Sequence, residues 1–531
     1  MSTKPYNFQI PPQVSHVTST LEKGVRPDDS VGRGYEAWIV GGCVRDLILG
    51  RTPKDWDVTT NATPEQIQAL FTKTVYENKF GTVAVILEPS TDYPLQTTNF
   101  IVEVTPFRTE SEYSDFRHPD QVSFAETLDE DLSRRDFTMN ALAYGHDGEG
   151  KPILRDIFDG IKDIEKKIIK TVGDPEKRFS EDALRMMRAV RFASELGFSI
   201  SHETSEAIVS RESLLEHVSE ERIRDEFVKI INSDSPAMGI TFLVKLGLMK
   251  HIIPELLEGI GCEQGGVHIY DVFDHLCHAL QHAADKDFPF HVKLAALFHD
   301  IGKPRTRRPG HKKAYTFYGH EVVGARMAAK IMDRLKFPKS DTELVVKLVR
   351  WHMFFSDTEQ ITLSAVRRMI ANVANKDISP TSRQEITGTP QDKLDDSLNH
   401  PIWTLMQIRE CDRVGMKKAE APYRLRKYHA MIEECLRDPI SVKQLKINGE
   451  YLIKELGMKP GPRMGWILNA LLEEVLESPE QNTVETLVTR VTELDKLPDA
   501  ELKALGEAGR QSKEEADEEE LKKLRSKHGV K

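Results

Sequence analysis

The chain has no apolar run long enough to cross a bilayer, so no stretch reads as a transmembrane helix. It also lacks a surplus of positive charge. Lys and Arg number 73 against 84 Asp and Glu, a net charge of −11. That excludes a generally basic nucleic-acid binder but not a protein with a local basic surface for RNA. Cysteines are few: five, at positions 43, 262, 277, 411 and 435, with no C-x-x-C pair. Neither a disulfide framework nor a cysteine zinc site fits, and reduced thiols in the cytoplasm do. The N-terminus shows neither the apolar core of a signal peptide nor the Arg-rich bias of a transit peptide, so the cytoplasm is the expected compartment. No internal repeat is visible. What the sequence does have is length, 531 residues, which predicts several domains.

The densest chemistry lies in Gly41 to Asp57, GGCVRDLILGRTPKDWD. Trp38-Ile39-Val40 reads as a short buried strand. Gly41 and Gly42 break it where a backbone turns tightly or approaches a ligand. Val44–Leu49 reads as a short helix carrying Arg45, and the amides at its start suit a phosphate chain. After a turn at Gly50 and Pro53, a strand over 55–58 would point Asp55 and Asp57 to one face. Paired carboxylates there suit magnesium, which points to metal-assisted nucleotidyl transfer. Glu103 interrupts the apolar strand 100–104 and reads equally as a third carboxylate or as an edge-strand charge. The ordered set of strand, GG, Arg, helix and D-x-D resembles the polymerase-beta-like nucleotidyltransferases. The form is that of class II tRNA CCA-adding enzymes and bacterial poly(A) polymerases.

Two further motifs extend that resemblance. SRRDFTMNA, from Ser133, is similar to the family's second motif, which implies Arg135 on the triphosphate and Asp136 on the ribose. DIFDGIKD, 156–163, resembles the hinge that follows. EDALRMMRAVRF, 181–192, reads as one continuous helix with Asp182, Arg185 and Arg188 at three-residue steps on one face. From pattern alone, Asp182 and Arg185 could be an ordinary ion pair. An Asp beside an Arg also offers an acceptor next to fixed donors, which matches the edges of cytosine and adenine and rejects uracil and guanine. The family's E-D-x-x-R-x-x-R motif stands complete as Glu181, Asp182, Arg185 and Arg188, and Arg191 matches a further basic position. The loop Thr109–Ala125, with Arg108, Tyr113 and Pro119, resembles the CCA-adding version but carries His118 where relatives commonly have Arg.

A third set follows downstream: His275, the adjacent His299-Asp300, then His320, His352 and Asp412, on separate helical segments. It resembles the HD metal-dependent phosphohydrolases. The resemblance implies a metal on His275, His299, Asp300 and Asp412. His320 and His352 would take a second metal or the substrate phosphate, and Lys303 would face that phosphate. Imidazole with carboxylate suits Ni2+, Mn2+ or Co2+ rather than a thiolate zinc site.

These readings predict an α+β chain: a nucleotidyltransferase head with a mixed sheet, then an all-α neck, an HD domain and a helical tail. The expected layout is a flexible arm over 1–31 with at most a short helix near Ser19–Lys23, then the head over 32–160 and the neck over 161–258. The HD domain follows over 259–420, an RNA-facing tail with a Lys443–Arg463 basic stripe over 421–500, and a charged tail over 501–531. The expected function is addition of CCA to tRNA from CTP and ATP with Mg2+, plus phosphoester hydrolysis at the HD site. The rival readings are a poly(A) polymerase or A-adding enzyme on this scaffold, or an HD phosphohydrolase whose N-terminal part binds RNA. None of these features bears on oligomeric state, and no membrane partner is expected.

Overall fold

A computed structural model describes residues 6–26, 34–76, 81–89, 98–110, 122–147, 150–265, 268–310, 314–353, 362–373, 401–414, 422–439 and 441–506. The loop positions Tyr113, His118 and Pro119, the 377–399 stretch and the charged C-terminus from 507 on lie outside these residues. The chain divides into two compact units, Met1–Pro254 and Glu255–Lys531.

The first unit opens on α1, Pro12–Lys23. A loose arm was expected here, but Val14, Val17 and Leu21 form one apolar stripe and are all 0% exposed. The stripe follows helical spacing, and Pro12 at the first helical position starts it. Behind it stands a mixed sheet. Its strands are β1 (Ala37–Val40), β2 (Asp57–Thr60), β3 (Thr74–Tyr76), β4 (Val83–Leu87) and β5 (Phe100–Pro106), with a separate hairpin β6 (Arg108–Glu110) and β7 (Val122–Phe124), then β8 (Leu142–His146) and β9 (Pro152–Asp156). The order across the sheet is β3-β4-β5-β2-β1-β8-β9. Only β2 and β5 pair in parallel, with Asp57 opposite Glu103. Since β5 is an interior strand, Glu103 is no edge charge. Val40, Phe107, Leu128, Leu132 and Ala143 pack a core beneath the sheet.

Short helices connect the strands: α2 (Gly42–Ile48), α3 (Pro64–Leu70) and α4 (Leu128–Ser133). Thr63 and Gln66 close a capping box on α3, the arrangement that a Thr-Pro start predicts. The rest of the unit is helical apart from a two-strand parallel ladder, β10 (Ile168–Ile169) with β11 (Ser199–Ile200). Its helices are α5 (Gly160–Glu165), α6 (Pro175–Glu181), α7 (Leu184–Leu196), α8 (His202–Arg211), α9 (Glu220–Ile231), α10 (Pro236–Lys245) and α11 (Met249–Ile252). The single helix expected over 181–192 is in fact two. Asp182 takes extended angles (φ −141, ψ 106) between α6 and α7 and breaks the register.

The second unit is helical among its described residues, except for a small hairpin, β12 (Arg308–Pro309) with β13 (Tyr315–Thr316). Its helices are α12 (Val272–Asp285), α13 (Phe290–Phe298), α14 (Lys303–Thr306), α15 (His320–Arg334), α16 (Lys339–Trp351), α17 (Leu363–Val373), α18 (Pro401–Asp412), α19 (Pro422–Cys435), α20 (Gly449–Lys454), α21 (Pro462–Glu477) and α22 (Val484–Leu494). Every side chain from Val292 to Phe298 is buried, so α13 is the axis of the unit. Gly302 lies where α15 crosses closest. A Cβ there would stand 2.2 Å from the His320 carbonyl oxygen and 2.6 Å from the Gly324 nitrogen. No described helix is long and apolar enough to cross a membrane.

Candidate active sites

A cavity of about 1210 Å3 opens in the first unit. Eleven Lys and Arg side chains line it against eight Asp and Glu, so its wall is net cationic in a chain that is net anionic. Gly41 sits at its mouth with φ +81. A Cβ at Gly41 would come 3.1 Å from Arg135 Nη1 and 3.5 Å from Asp57 Oδ2. The glycine therefore lets a guanidinium and a carboxylate meet over the turn. Asp55, in the bend before β2, and Glu103 line the same wall. Burial raises the Asp57 pKa above its ordinary value; Arg135 opposes the shift and Asp55 adds to it. A carboxylate held in that condition is one that a divalent cation would relieve, and the all-oxygen donors fit magnesium.

Arg45 is braced within the fold by three of its five N–H groups. Its Nε and Nη2 donate to Asp46 Oδ1 at 2.9 and 2.8 Å, and Nη1 donates to Asn140 Oδ1 at 2.9 Å. Asp136 is saturated. It accepts from Phe137 N, Asn140 Nδ2, and Arg188 Nε and Nη2, at 2.8, 3.2, 2.8 and 2.6 Å. Burial opposes ionisation of Asp136, but Arg188, Arg185 and Asn140 hold its pKa down at about 2. The expected ribose contact is therefore not available in this arrangement, because a carboxylate has about four acceptor sites. Asp136 braces Arg188 and Asn140 instead. Arg135 keeps a buried Nε without a partner, which leaves it a donor for a phosphate.

The break at Asp182 sends its carboxylate out of the helix. Oδ1 accepts from the Leu184 amide at 3.1 Å, and Arg222 Nη2 of α9 donates to both oxygens at 3.2 and 2.9 Å. Arg185 pairs with Glu181 at 2.6 Å. The ordinary Asp182–Arg185 ion pair is thus absent, and each residue reaches the cavity held by a different partner. Arg191 is pinned between Glu226 (2.8 Å) and Glu195 (3.4 Å). Phe192 packs under the guanidiniums of Arg45, Arg188 and Arg191, at 5.2, 5.5 and 4.1 Å from its ring centroid.

The second unit gathers its histidines and aspartates in two groups that share Asp300. His275, His299, Asp300 and Asp412 form one, and Asp300, His320 and His352 the other, with ligand atoms within 4.8 Å of one another in each. All six side chains are buried. Each imidazole Nδ1 donates to a backbone carbonyl: His275 to Val414 (3.1 Å), His299 to Ala296 (2.8 Å), His320 to Phe317 (2.7 Å) and His352 to Val349 (2.7 Å). Those bonds place the protons on Nδ1 and turn four Nε2 lone pairs inward, the tautomer a metal ligand needs. The inward atoms then face each other with too few protons, His275 Nε2 to His299 Nε2 at 3.1 Å and His320 Nε2 to His352 Nε2 at 3.3 Å. Asp300 Oδ2 lies 3.5 and 3.4 Å from the first pair, and Oδ1 lies 3.2 and 3.6 Å from the second. Burial opposes charge on Asp300, but Lys303 and His299 hold its pKa well below the usual carboxylate range. Burial also opposes charging of His299, yet Asp300 and Asp412 push it up to about 10. The converging nitrogen and oxygen donors fit transition metals.

Four family models match the chain in order. They are the poly A polymerase head domain over 37–170, the probable RNA and SrmB-binding site of polymerase A over 197–259, the HD domain over 267–378 and a tRNA nucleotidyltransferase domain over 399–491. The chain is 34% identical to the CCA-adding enzyme of Levilactobacillus brevis, covering 87% of this chain and 94% of that one. The chain belongs to the CCA-adding enzyme family. It is also 48% identical to the CCA-adding enzyme of Lactiplantibacillus plantarum, over 86% of this chain and 91% of that one. Among solved structures, the Bacillus stearothermophilus CCA-adding enzyme in complex with CTP superposes with a TM-score of 0.62 at 26% identity, covering 92% of this chain and 98% of that one.

Within this CCA-adding family member, several contributors escape sequence reasoning. Asn140 fixes Arg45 from 95 residues away, Arg222 fixes Asp182 from 40 and Glu226 fixes Arg191 from 35, and only Asn140 had a cue, as part of the SRRDFTMNA motif. In the second unit Arg409 Nη1 donates to Asp412 Oδ2 at 2.8 Å, and Lys303 Nζ is spent on Asp300 (2.5 Å) and Gln264 (2.6 Å). Two of the three Lys303 N–H donors are therefore engaged within the fold. His278 stacks on Tyr270, and His282 meets Glu410 at 3.0 Å, so both are ordinary positions. In the tail, Arg463 is paired with Asp495 and Asp499, while Lys443, Lys446, Lys454 and Lys459 of the expected stripe are exposed, Lys454 beside Glu450.

Proposed function

We propose that the chain adds C, C and A to the 3′ end of tRNA, taking CTP and ATP and using no nucleic-acid template. The observation that carries this reading is the cavity in which Asp55 and Asp57 face Arg135 on one side while Asp182 and Arg185 reach in from the other. Membership of the CCA-adding family supports it. Asp55 and Asp57, with Glu103 beside them in register, would hold magnesium, which when bound activates a hydroxyl and neutralises a triphosphate. Arg135 binds the phosphates through its open Nε. Asp182 accepts from the amino group of cytosine or adenine, and Arg185 donates to the neighbouring ring acceptor. Uracil offers Asp182 a carbonyl and is refused. Arg45, Asp136, Arg188 and Arg191 hold this frame rigid. The reduced, buried cysteines and a tRNA substrate fit a cytoplasmic enzyme. Incubation with tRNA lacking its CCA end and single labelled nucleotides tests the reading. C and then A should be incorporated and stop. A-only or unlimited A addition would favour the A-adding or poly(A) reading and refute this one.

We further propose that the second unit hydrolyses a phosphoester. His275, His299, Asp300 and Asp412 would hold one transition-metal ion, and Asp300, His320 and His352 a second. Such ions supply Lewis acidity for attack at phosphorus. Asp300 joins the two groups, and Arg409 fixes Asp412. His299→Ala with Asp300→Ala should eliminate Mn2+- or Ni2+-stimulated hydrolysis and leave nucleotide incorporation on intact tRNA unchanged. Loss of incorporation in a folded double variant would contradict the assignment.

A further inference from the structure

One imidazole at the His/Asp site of the second unit has no assigned part. His268 precedes α12, and its ring stands edge-on to that of His275, with centroids 5.5 Å apart. Lys303, Asp300 and Asp412 are close enough to act on it electrostatically. It is half-buried, and its neighbour Ile269 is 55% exposed, so His268 lies between solvent and the buried ligands. It differs from the four histidines below it in one respect. Each of those has its Nδ1 fixed to a backbone carbonyl, whereas Nδ1 of His268 is buried with no hydrogen-bond partner. A buried polar atom without a partner is costly, roughly 1–3 kcal/mol, and marks a position that some further group completes.

That further group is not the metal cluster itself. His268 belongs to neither set of converging ligand atoms. The other candidate for a substrate contact, Lys303, gives two of its three N–H groups to Asp300 and Gln264. Gln264 also donates to the carbonyls of Tyr270 and Asp271 at 3.3 and 3.2 Å, which ties the segment carrying His268 to the residue next to the cluster. The imidazole is thus held beside the site while its buried Nδ1 stays without a partner. An imidazole always offers at least one N–H, and an N–H beside a set of metal-ligating side chains suits an anionic oxygen.

We propose that His268 contacts the phosphate of the substrate at this site, donating a hydrogen bond to a phosphoester oxygen. The proposal rests on the phosphoester-hydrolase reading given above. It is tested on the full-length protein loaded with Mn2+, with inorganic phosphate as the probe in titration calorimetry and bis(4-nitrophenyl) phosphate as the hydrolysed ester. His268→Ala should bind phosphate roughly tenfold or more weakly, the effect of losing one charge-assisted hydrogen bond. The ester's kcat/KM should fall by a similar factor, mainly through KM, while bound manganese per chain stays at the wild-type value. His268→Gln, which keeps a side-chain N–H, should recover part of the loss; a purely structural role would not give that rescue. Unchanged phosphate binding in His268→Ala overturns the proposal alone. Loss of manganese in that variant overturns it too, since His268 would then be a ligand. If the wild-type protein neither binds phosphate nor hydrolyses the ester, the hydrolase reading falls with it.

Discussion

Replacing Asp182 with alanine removes a carboxylate that the fold delivers to the cavity from a helix break. In the ligand-free chain that group accepts from the Leu184 amide and from Arg222, with both ion-pair side chains partly exposed at 18% and 23%. The stability cost should therefore be small, about 1 kcal/mol, because solvent screens the pair. The catalytic cost should be larger. A hydrogen bond to an ionised group contributes about 1.5–3 kcal/mol, so kcat/KM for CTP and ATP should drop roughly tenfold to a hundredfold. UTP loses nothing, since its carbonyl only met repulsion, and the C-to-U and A-to-U ratios should fall by about the same factor. Asp182→Asn sharpens the test. It keeps an acceptor for the Leu184 amide and adds an amino donor, so UTP use should rise above that of the alanine variant. The assay is single-nucleotide incorporation into tRNA lacking its 3′ end, at several concentrations of each nucleotide, with thermal melting as the fold control. If both variants stay active with unchanged ratios, Asp182 does not read the base.

Asp55→Ala or Asp57→Ala should lower incorporation roughly a thousandfold or more while leaving tRNA binding intact, measured by filter retention; near-normal incorporation would refute the metal assignment. The Asp136 pKa of about 2 lies below its ordinary 3.8, so its stabilising contribution is complete above that ordinary value and is lost as pH falls toward about 2. The deficit of Asp136→Asn relative to wild type should accordingly shrink across that window in acid unfolding, by about 2 kcal/mol; a constant deficit would contradict the sign. Gly302→Ala should destabilise the second unit by about 1–3 kcal/mol or more through overpacking and reduce retained metal, and a normal melting temperature with full metal content would show that the close crossing yields.

Much of this was legible from local pattern. The GG turn was readable because glycine's conformational range acts over a few residues, and β1 and α2 flank it as expected. The strand expected over 55–58 begins only at Asp57, so Asp55 reaches the cavity from the bend before β2 rather than by strand alternation. The His/Asp set was readable for a related reason. Three of its four Nδ1 bonds go to the carbonyl three residues earlier, so a histidine at a helix end orients itself. The break at Asp182 was not readable, because the apolar spacing of 184–192 continues smoothly backward and only the backbone angles reveal the interruption. Nor were the roles of Arg45 and Asp136. Both looked like ligand contacts, but Asn140 braces Arg45 from 95 residues away and Arg188 holds Asp136 from 52, and such pairings leave no periodic trace. The helix α1 was missed because polar residues outnumber its three-residue apolar stripe.

The two oxygens of Asp300 face different imidazole pairs, and that arrangement has a corollary. On the two-metal reading proposed above, substitution at His320 or His352 would remove a ligand from one position only and leave the other set intact. Residue 300 allows no such intermediate. On the same reading, removing its carboxylate would take a ligand from both positions in one step.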